Sequence, residues 1–365
     1  MVEKNFNVTL EDEARGITID AGSSAFLDWL CSFSAIGDDG KQYWFGCSPL
    51  ILKLENIDIC SVEFCTELGE IIQDPRSIYK IAKFPAEAYL RRDILKGGSH
   101  NVQRLSDKVL VDIGIMHIEC HQDNSWHYQI NDEEKGFKAD FIHKPICGGP
   151  LWYGREKPSY LTQHSITYGY NWCGQIEGSV THNGKTVKLK GAGIRERYVA
   201  IDSSSAEIGG WEDWGWFHFD EAFGSMFDFR LGTKDFAINL VEENKYFPSG
   251  KMNIEHHEWA YFPQYGGFVP SVYKIQFEVE DGVLELTAHA ANGTTWGVTD
   301  KIPDNPVATL MWDNVEGVFT YKDGRIKRLT NGFGGMSIRQ WRQYPCITPP
   351  ISFNELEKGE RFTTL

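Results

Sequence analysis

Residues 175–193 read QIEGSVTHNGKTVKLKGAG. Gln175–His182 and Lys185–Lys190 flank Asn183-Gly184, and Asn-Gly accepts the positive φ angles that a type I′ turn demands. Ile176, Val180, Val187 and Leu189 recur with the two-residue period that leaves one strand face for a core. A β-hairpin is predicted here. Two further segments repeat the design: Tyr273–Glu280, Asp281-Gly282, Val283–His289, and Gly317–Lys322, Asp323-Gly324, Arg325–Thr330. In the first of these, Ile275, Phe277 and Val279 alternate with Lys274, Gln276 and Glu278.

Outward from these hairpins, strands are expected at Val109–Cys120, Trp126–Ile130, Phe137–Ile142, Ser225–Leu231 and Asp235–Val241. Helical periodicity is scarce; the best candidate, Ser77–Leu95, is interrupted by Pro85, which removes a helix hydrogen bond and clashes with the preceding turn. Many short strands with glycine-rich turns predict barrels or a sandwich. Gly191-Ala-Gly193 follows the first hairpin and Gly332-Phe-Gly334-Gly335 the third, a faint internal echo. With a length of 365 residues, this favours two β domains, 1–202 and 203–365.

Lys plus Arg is 36 and Asp plus Glu is 51, a formal net charge of −15. Phosphate tracking needs a cationic footprint, so no nucleic-acid partner is expected; docking on anionic lipid is disfavoured for the same reason. No window approaches the roughly 20 apolar residues of a membrane-spanning helix. The N-terminal MVEKNFNVTLEDEARG is polar and acidic, unlike a secretory signal. Eight scattered cysteines form no Cys-x-x-Cys pair and read as reduced thiols, so the cytoplasm is the expected compartment.

The densest chemistry lies in residues 191–220, GAGIRERYVAIDSSSAEIGGWEDWGWFHFD. On one strand Trp214, Trp216, His218 and Asp220 share a face, opposite Gly215, Phe217 and Phe219. Two indoles and an imidazole make that face amphipathic, because a buried indole N–H seeks a partner. A carboxyl group among indoles loses hydration and holds its proton more tightly. Such an acid can protonate an unactivated alkene, and the aromatic faces can shelter the resulting cation. Glu196 and Asp213 are the acid candidates; the competing reading of Glu196 is an ordinary ion pair with Arg195 or Arg197. Tyr168, Tyr170 and Trp172 alternate onto one face and are candidate pocket walls.

The run Gly191-Ala-Gly193-Ile194-Arg195-Glu196, about fifteen residues before Trp211-Glu212-Asp213-Trp214-Gly215-Trp216, resembles the carotenoid 1,2-hydratase and AttH-type group of double-lipocalin proteins. That group includes kievitone-type hydratases and lipocalin-like Diels–Alder cyclases. Ile194 and Arg195 stand where the pattern has Tyr-His, and Arg197-Tyr198-Val199 where Asn-Trp-Gly often follows. The resemblance implies two consecutive lipocalin-like antiparallel barrels with a ligand pocket at their junction. It supports the fold more than the reaction; the acids among indoles make the leading expectation a cofactor-independent hydratase or dehydratase acting on a hydrophobic, isoprenoid or polyketide-like small molecule, with Glu196, Asp213 and His218 catalytic. Arg195, Tyr198, Trp211, Trp214 and Trp216 join Tyr168, Tyr170 and Trp172 around the substrate, and His218 or Tyr198 positions the water. The alternatives are a polyene cyclase or isomerase working by geometry and a non-catalytic lipid or pigment carrier.

Other motifs carry less. His256 and Glu258 share a strand face that His257 does not, but two ligands do not close a zinc site without a remote third such as His218 or His289; a polar rim or a second acid–base pair is the better reading, and no metal is expected. Cys120-His121 with His127 lacks an orienting third residue for a thiolate nucleophile. Gly191-x-Gly193 lacks the third glycine of a dinucleotide loop, and Ser203-Ser204-Ser205 lacks a nucleophile elbow.

Overall fold

The computed structural model describes residues 8–65, 70–73, 80–83, 88–151, 159–160, 166–201, 212–229, 234–262, 267–296 and 307–339. A short helix α1 (Leu10–Glu13) precedes strands β1 (Ala25–Gly37), β2 (Gln42–Leu52), β3 (Ile57–Cys65), β4 (Glu70–Gln73), β5 (Lys80–Lys83), β6 (Ala88–Lys96) and β7 (Asn101–Arg104). Then come β8 (Lys108–Ile113), β9 (Met116–His121), β10 (Trp126–Asp132), β11 (Phe137–Leu151), β12 (Ser159–Tyr160), β13 (Ile166–His182) and β14 (Lys185–Ile201). The remainder forms β15 (Glu212–His218), β16 (Ala222–Phe229), β17 (Lys234–Leu240), β18 (Lys245–Phe247), β19 (Lys251–Phe262), β20 (Gly267–Val279), β21 (Gly282–Trp296), β22 (Val307–Tyr321) and β23 (Ile326–Arg339).

These strands build two sheets. One runs β6-β3-β2-β1-β14-β13-β11-β10-β9-β8-β7, with β12 beside β13; the other runs β18-β17-β16-β15-β23-β22-β21-β20-β19-β5-β4. In each sheet the last long strand returns to pair antiparallel with the first, β14 with β1 and β23 with β15. The two glycine clusters mark these returns. A Cβ at Gly191 or Gly193 would stand 2.0 or 2.2 Å from the carbonyl oxygens of Ser34 and Ser32, and one at Gly334 2.3 Å from that of Trp216. Only glycine allows the backbones to approach so closely.

Each sheet curls on its own core. Trp29 and Phe33 of β1 share one buried cluster with Val111 of β8, Tyr128 of β10, Phe141 of β11 and Leu189 of β14. A second cluster joins Phe217, Phe236, Tyr273, Leu284 and Trp312 across the other sheet. Strands so far apart in a sheet reach a common interior only if the sheet bends toward closure. The architecture is all-β, with lipocalin-like curled antiparallel sheets, as the hairpin pattern and the resemblance led one to expect. The outward faces meet in a third cluster of Phe26, Leu30, Ile194 and Tyr198 with Trp214, Trp216 and Phe227.

Several local expectations are corrected. Ser77–Leu95 is not a helix: its described residues form β5 and part of β6, because pairing with β19 and β3 supplies the backbone partners that weak helical periodicity could not. Val109–Cys120 splits into β8 and β9 around Gly114 at φ 61°. Asn183 and Gly184 both take positive φ, 51° and 74°, as a type I′ turn requires. The other two hairpins differ. Val279 pairs with Gly282, leaving Glu280-Asp281 as the loop, and the third loop spans residues 322–325 with Gly324 at φ 87°.

Helix α1 closes one end of the first sheet's interior. Glu13, 1% exposed, accepts from the Trp126 indole at 2.9 Å and from Arg195 Nη1 at 3.4 Å. The Arg195 guanidinium lies 4.2 Å over Trp126, and that of Arg197 lies 3.8 Å over Trp29. Arg197 also donates to the carbonyls of Glu13 and Asp28 at 2.9 and 3.0 Å. Removing one member of such a buried pair strands the other charge without compensation. Glu13→Ala should therefore cost about 3–5 kcal/mol in a urea unfolding titration, and a loss below about 1 kcal/mol would show that the latch is not structural.

Candidate active site between the sheets

Strand alternation divides the Arg-Glu-Arg run of β14. Arg195 and Arg197 turn inward to α1, while Glu196 shares the opposite face with Ile194 and Tyr198, which pack in the layer between the sheets. Glu196 is 5% exposed, and its register partners are Leu30 of β1 and Asn171 of β13. The Tyr198 ring lies 5.0 Å from that of Phe26.

From the second sheet, Trp214 and Trp216 enter the same layer, 3% and 1% exposed. The edge of Trp216 meets Phe333 at 6.0 Å. His218 continues this face, stacked on Phe333 at 4.6 Å and edge-on to Phe223 at 4.4 Å. Burial lowers its pKa to about 4, a drop that Asp220 only partly opposes. At neutral pH the ring is an uncharged imidazole. Glu196, Tyr198, Trp214, Trp216 and His218 thus belong to one layer.

Asp213 belongs elsewhere. Its parity places it with Gly215 and Phe217 on the face that lines the second sheet's core. There His256 Nε2 lies 3.2 and 3.1 Å from its two carboxylate oxygens, and the His256 ring meets the Tyr273 ring edge-on at 5.4 Å. Asp228 is the register partner of Asp213 and pairs with Lys234 at 3.0 Å. The two acid candidates therefore occupy different compartments. Asp213 instead hydrogen-bonds with His256.

His256 and Glu258 do not converge, since Glu258 adopts φ 47° and pairs with Lys80 of β5. Among the described residues no group of three or more His, Cys, Asp or Glu is arranged to hold a metal. Arg195 donates to the Tyr170 hydroxyl at 3.2 Å. Trp172 packs with Tyr170 and Val8, and Tyr168 lies beneath Arg15 at 5.4 Å. Arg195, Tyr168, Tyr170 and Trp172 thus sit with the α1 latch and the chain beside it. Burial raises the Cys120 thiol well above its usual range, which leaves it inert. Trp211 and Ser203–Ser205 lie outside the described residues.

One group went unread in the sequence. Strand β3, IDICSVEFC, is buried at every position, yet it carries Glu63 at 6% exposure, with Arg92 Nη2 of β6 4.0 Å away. Charges set in a largely apolar run, Glu63 here and Asp58 before it, were the available signal. Glu63 borders a cavity of about 30 Å³ together with Ser32, Ser48, Ser61, Trp44 and Trp214. Leu30, the register partner of Glu196, lines the same cavity.

No known family profile matches the sequence, and no curated protein does. Solved structures do match. Kievitone hydratase from Nectria haematococca superposes with a TM-score of 0.59 at 12% identity, covering 92% of this chain and 93% of its own. An AttH protein of Nitrosomonas europaea gives 0.58 at 13% identity, covering 85% and 91%. The chain has their fold. CghA gives 0.58 at 9% identity over 88% and 90%, and its structure with Sch210972 gives 0.53 at 8% over 87% and 89%. These are the proteins that the Gly-x-Gly and Trp-acid-x-Trp motifs resembled, and at such identities the likeness shows the fold alone.

The His218 environment yields a pH prediction. The folded ring titrates at about 4, against about 6.5 in the unfolded chain. Between these values the unfolded chain binds the extra proton, so stability is intact above pH 6.5 and falls as pH drops toward 4. His218→Gln should shrink the difference in unfolding free energy between pH 7 and pH 5 by about 2 kcal/mol; an unchanged difference would show that the ring titrates normally.

Proposed function

We propose that this protein is a cofactor-independent hydratase or dehydratase acting on a hydrophobic, isoprenoid- or polyketide-like small molecule in the layer between its two sheets. The supporting observation is a buried carboxyl group, Glu196, on the same layer as Trp214, Trp216 and Tyr198. Burial favours the protonated form of a carboxyl group, which suits delivery of a proton to a C=C or to a departing hydroxyl. Aromatic faces stabilise the resulting carbocation and exclude bulk water. The rim suits an apolar guest: Leu90, paired in register with Glu63, is 44% exposed, and Ile94 on the same face is 38% exposed. The likeness to kievitone hydratase accords with this reading. We read residues 1–202 and 203–365 as its two domains, with the β4–β5 hairpin of the first extending the sheet of the second. Asp213 with His256 is a second proton-transfer pair, set apart from the hydration step.

The test offers kievitone and an acyclic carotenoid to wild type and to Glu196→Gln. Water addition should fall by about 10²–10⁴-fold in the variant, while quenching of tryptophan fluorescence shows that the ligand still binds. Unchanged turnover in Glu196→Gln would end the acid mechanism. The likeness to CghA favours a second reading, a cyclase working by shape. In that case Glu196→Gln would be mild, and Trp214→Ala or Trp216→Ala would alter product ratios. A carrier would return every probe unchanged.

A further inference from the structure

The second sheet turns an ordered grid of side chains toward the first. Register aligns Phe333, His218, Phe223 and Asn239 across β23, β15, β16 and β17, and in the next row Gly335, Trp216, Ser225 and Ala237. Phe223 packs with Cys173 of β13, and Asn239 donates to the Gly148 carbonyl of β11 at 3.2 Å. This face is thereby seated on the first sheet. Trp216 also packs with Ile194 and Tyr198, which flank Glu196 on its own face of β14. The grid adjoins the candidate acid.

Polar atoms in it are left over. Ser225 is 0% exposed, and Trp216 and Asn239 are each 1% exposed. The Ser225 hydroxyl, the Trp216 indole N–H and Asn239 Oδ1 have no hydrogen-bond partner among the described residues, although buried polar atoms are normally satisfied. The Gly148 carbonyl can only accept, so it holds the Asn239 amide nitrogen and leaves Oδ1 as an acceptor. Trp216 can only donate, and Ser225 can do either. Their row is otherwise small: Gly335, Ser225 and Ala237 lie between Phe223 and Phe333 on one side and Trp214 and Phe227 on the other. A Cβ on Gly335 would stand 3.1 Å from the Trp216 nitrogen, so glycine keeps the approach to that N–H open. The result is a polar trough with aromatic borders.

We propose that this trough anchors a hydroxyl group of the substrate, so that the guest is an alcohol or phenol with an apolar body rather than a plain hydrocarbon. It rests on the reading of this layer as the substrate site and adds the selectivity of that site. An acceptor and two donors in one trough are completed together by a group that both donates and accepts. The hydroxyl proton goes to Asn239 Oδ1, and its oxygen accepts from Ser225 or Trp216. An ether or carbonyl oxygen leaves Oδ1 unpaired, and a hydrocarbon leaves all three atoms unpaired. The spacing suits one oxygen atom. Two O–H···O bonds of about 2.7–2.8 Å in series span about 5.5 Å, and Ser225 and Asn239 are diagonal neighbours, whose backbones lie about 7–8 Å apart. A hydroxyl also reproduces the bonds of any water it displaces there, which an ether does not.

The test compares para-octylphenol with its O-methyl ether. Their saturated chains offer no C=C to hydrate, so binding is read apart from turnover. The added methyl favours the ether on apolar area alone, so a preference for the phenol reports the anchor. Quenching of tryptophan fluorescence in the wild type should give a dissociation constant at least about 10-fold lower for the phenol. Ser225→Ala, which leaves the Asn239–Gly148 contact in place, should bring the two ligands within about threefold by weakening the phenol. Asn239→Leu should do the same, and Ser225→Ala carries the test alone if the Leu variant does not fold. Equal affinities in the wild type, a preference untouched by Ser225→Ala, or a phenol that does not bind would each overturn the anchor. Hydration of kievitone without a phenol preference would leave the catalytic reading standing and remove the anchor. The preference without hydration would do the reverse.

Discussion

Arg195 and Arg197 reach into the first sheet, stack on Trp126 and Trp29, and grip Glu13 and the backbone beside it. This buried latch governs more than the position of a short helix. It fixes the rotation of β14, and successive residues on a strand must face opposite ways. With both arginines committed inward, Glu196 is held in the layer between the sheets. Charges this deeply buried are tolerable only because each has a partner, so the orientation of the candidate acid is as firm as the latch.

The second constraint is repetition. In both sheets a long final strand returns beside the first, and glycines let it pass close to the neighbouring carbonyls. Each curled sheet fills its own interior with large side chains, so the concave cores are occupied by protein. The outward faces of β14 and β15 then become each other's partners. That apposition brings Trp214 and Trp216 to Tyr198 and Ile194, although the two strands belong to different sheets. Serines and a glutamate interrupt the apolar layer at one place, and the cavity lies there.

The sequence by itself determined the class of the fold and much of one wall of the site. Alternating apolar residues, Asn183-Gly184 and the Gly-x-Gly runs dictate antiparallel strands that turn sharply and pack closely, since these are local properties of the backbone. The same period of two correctly grouped Trp214, Trp216 and His218. It equally implied that Asp213 faces the other way, a consequence that is decisive only once both faces are known to be buried. What lies across each face was decided by tertiary structure alone. Glu13 meets Arg195, His256 meets Asp213, and Glu63 meets the tryptophan layer through pairings 182, 43 and more than 100 residues apart. No local propensity encodes such distances; they arise because each sheet can bury its core only by curling, and the two curled sheets can cover their remaining apolar faces only against each other.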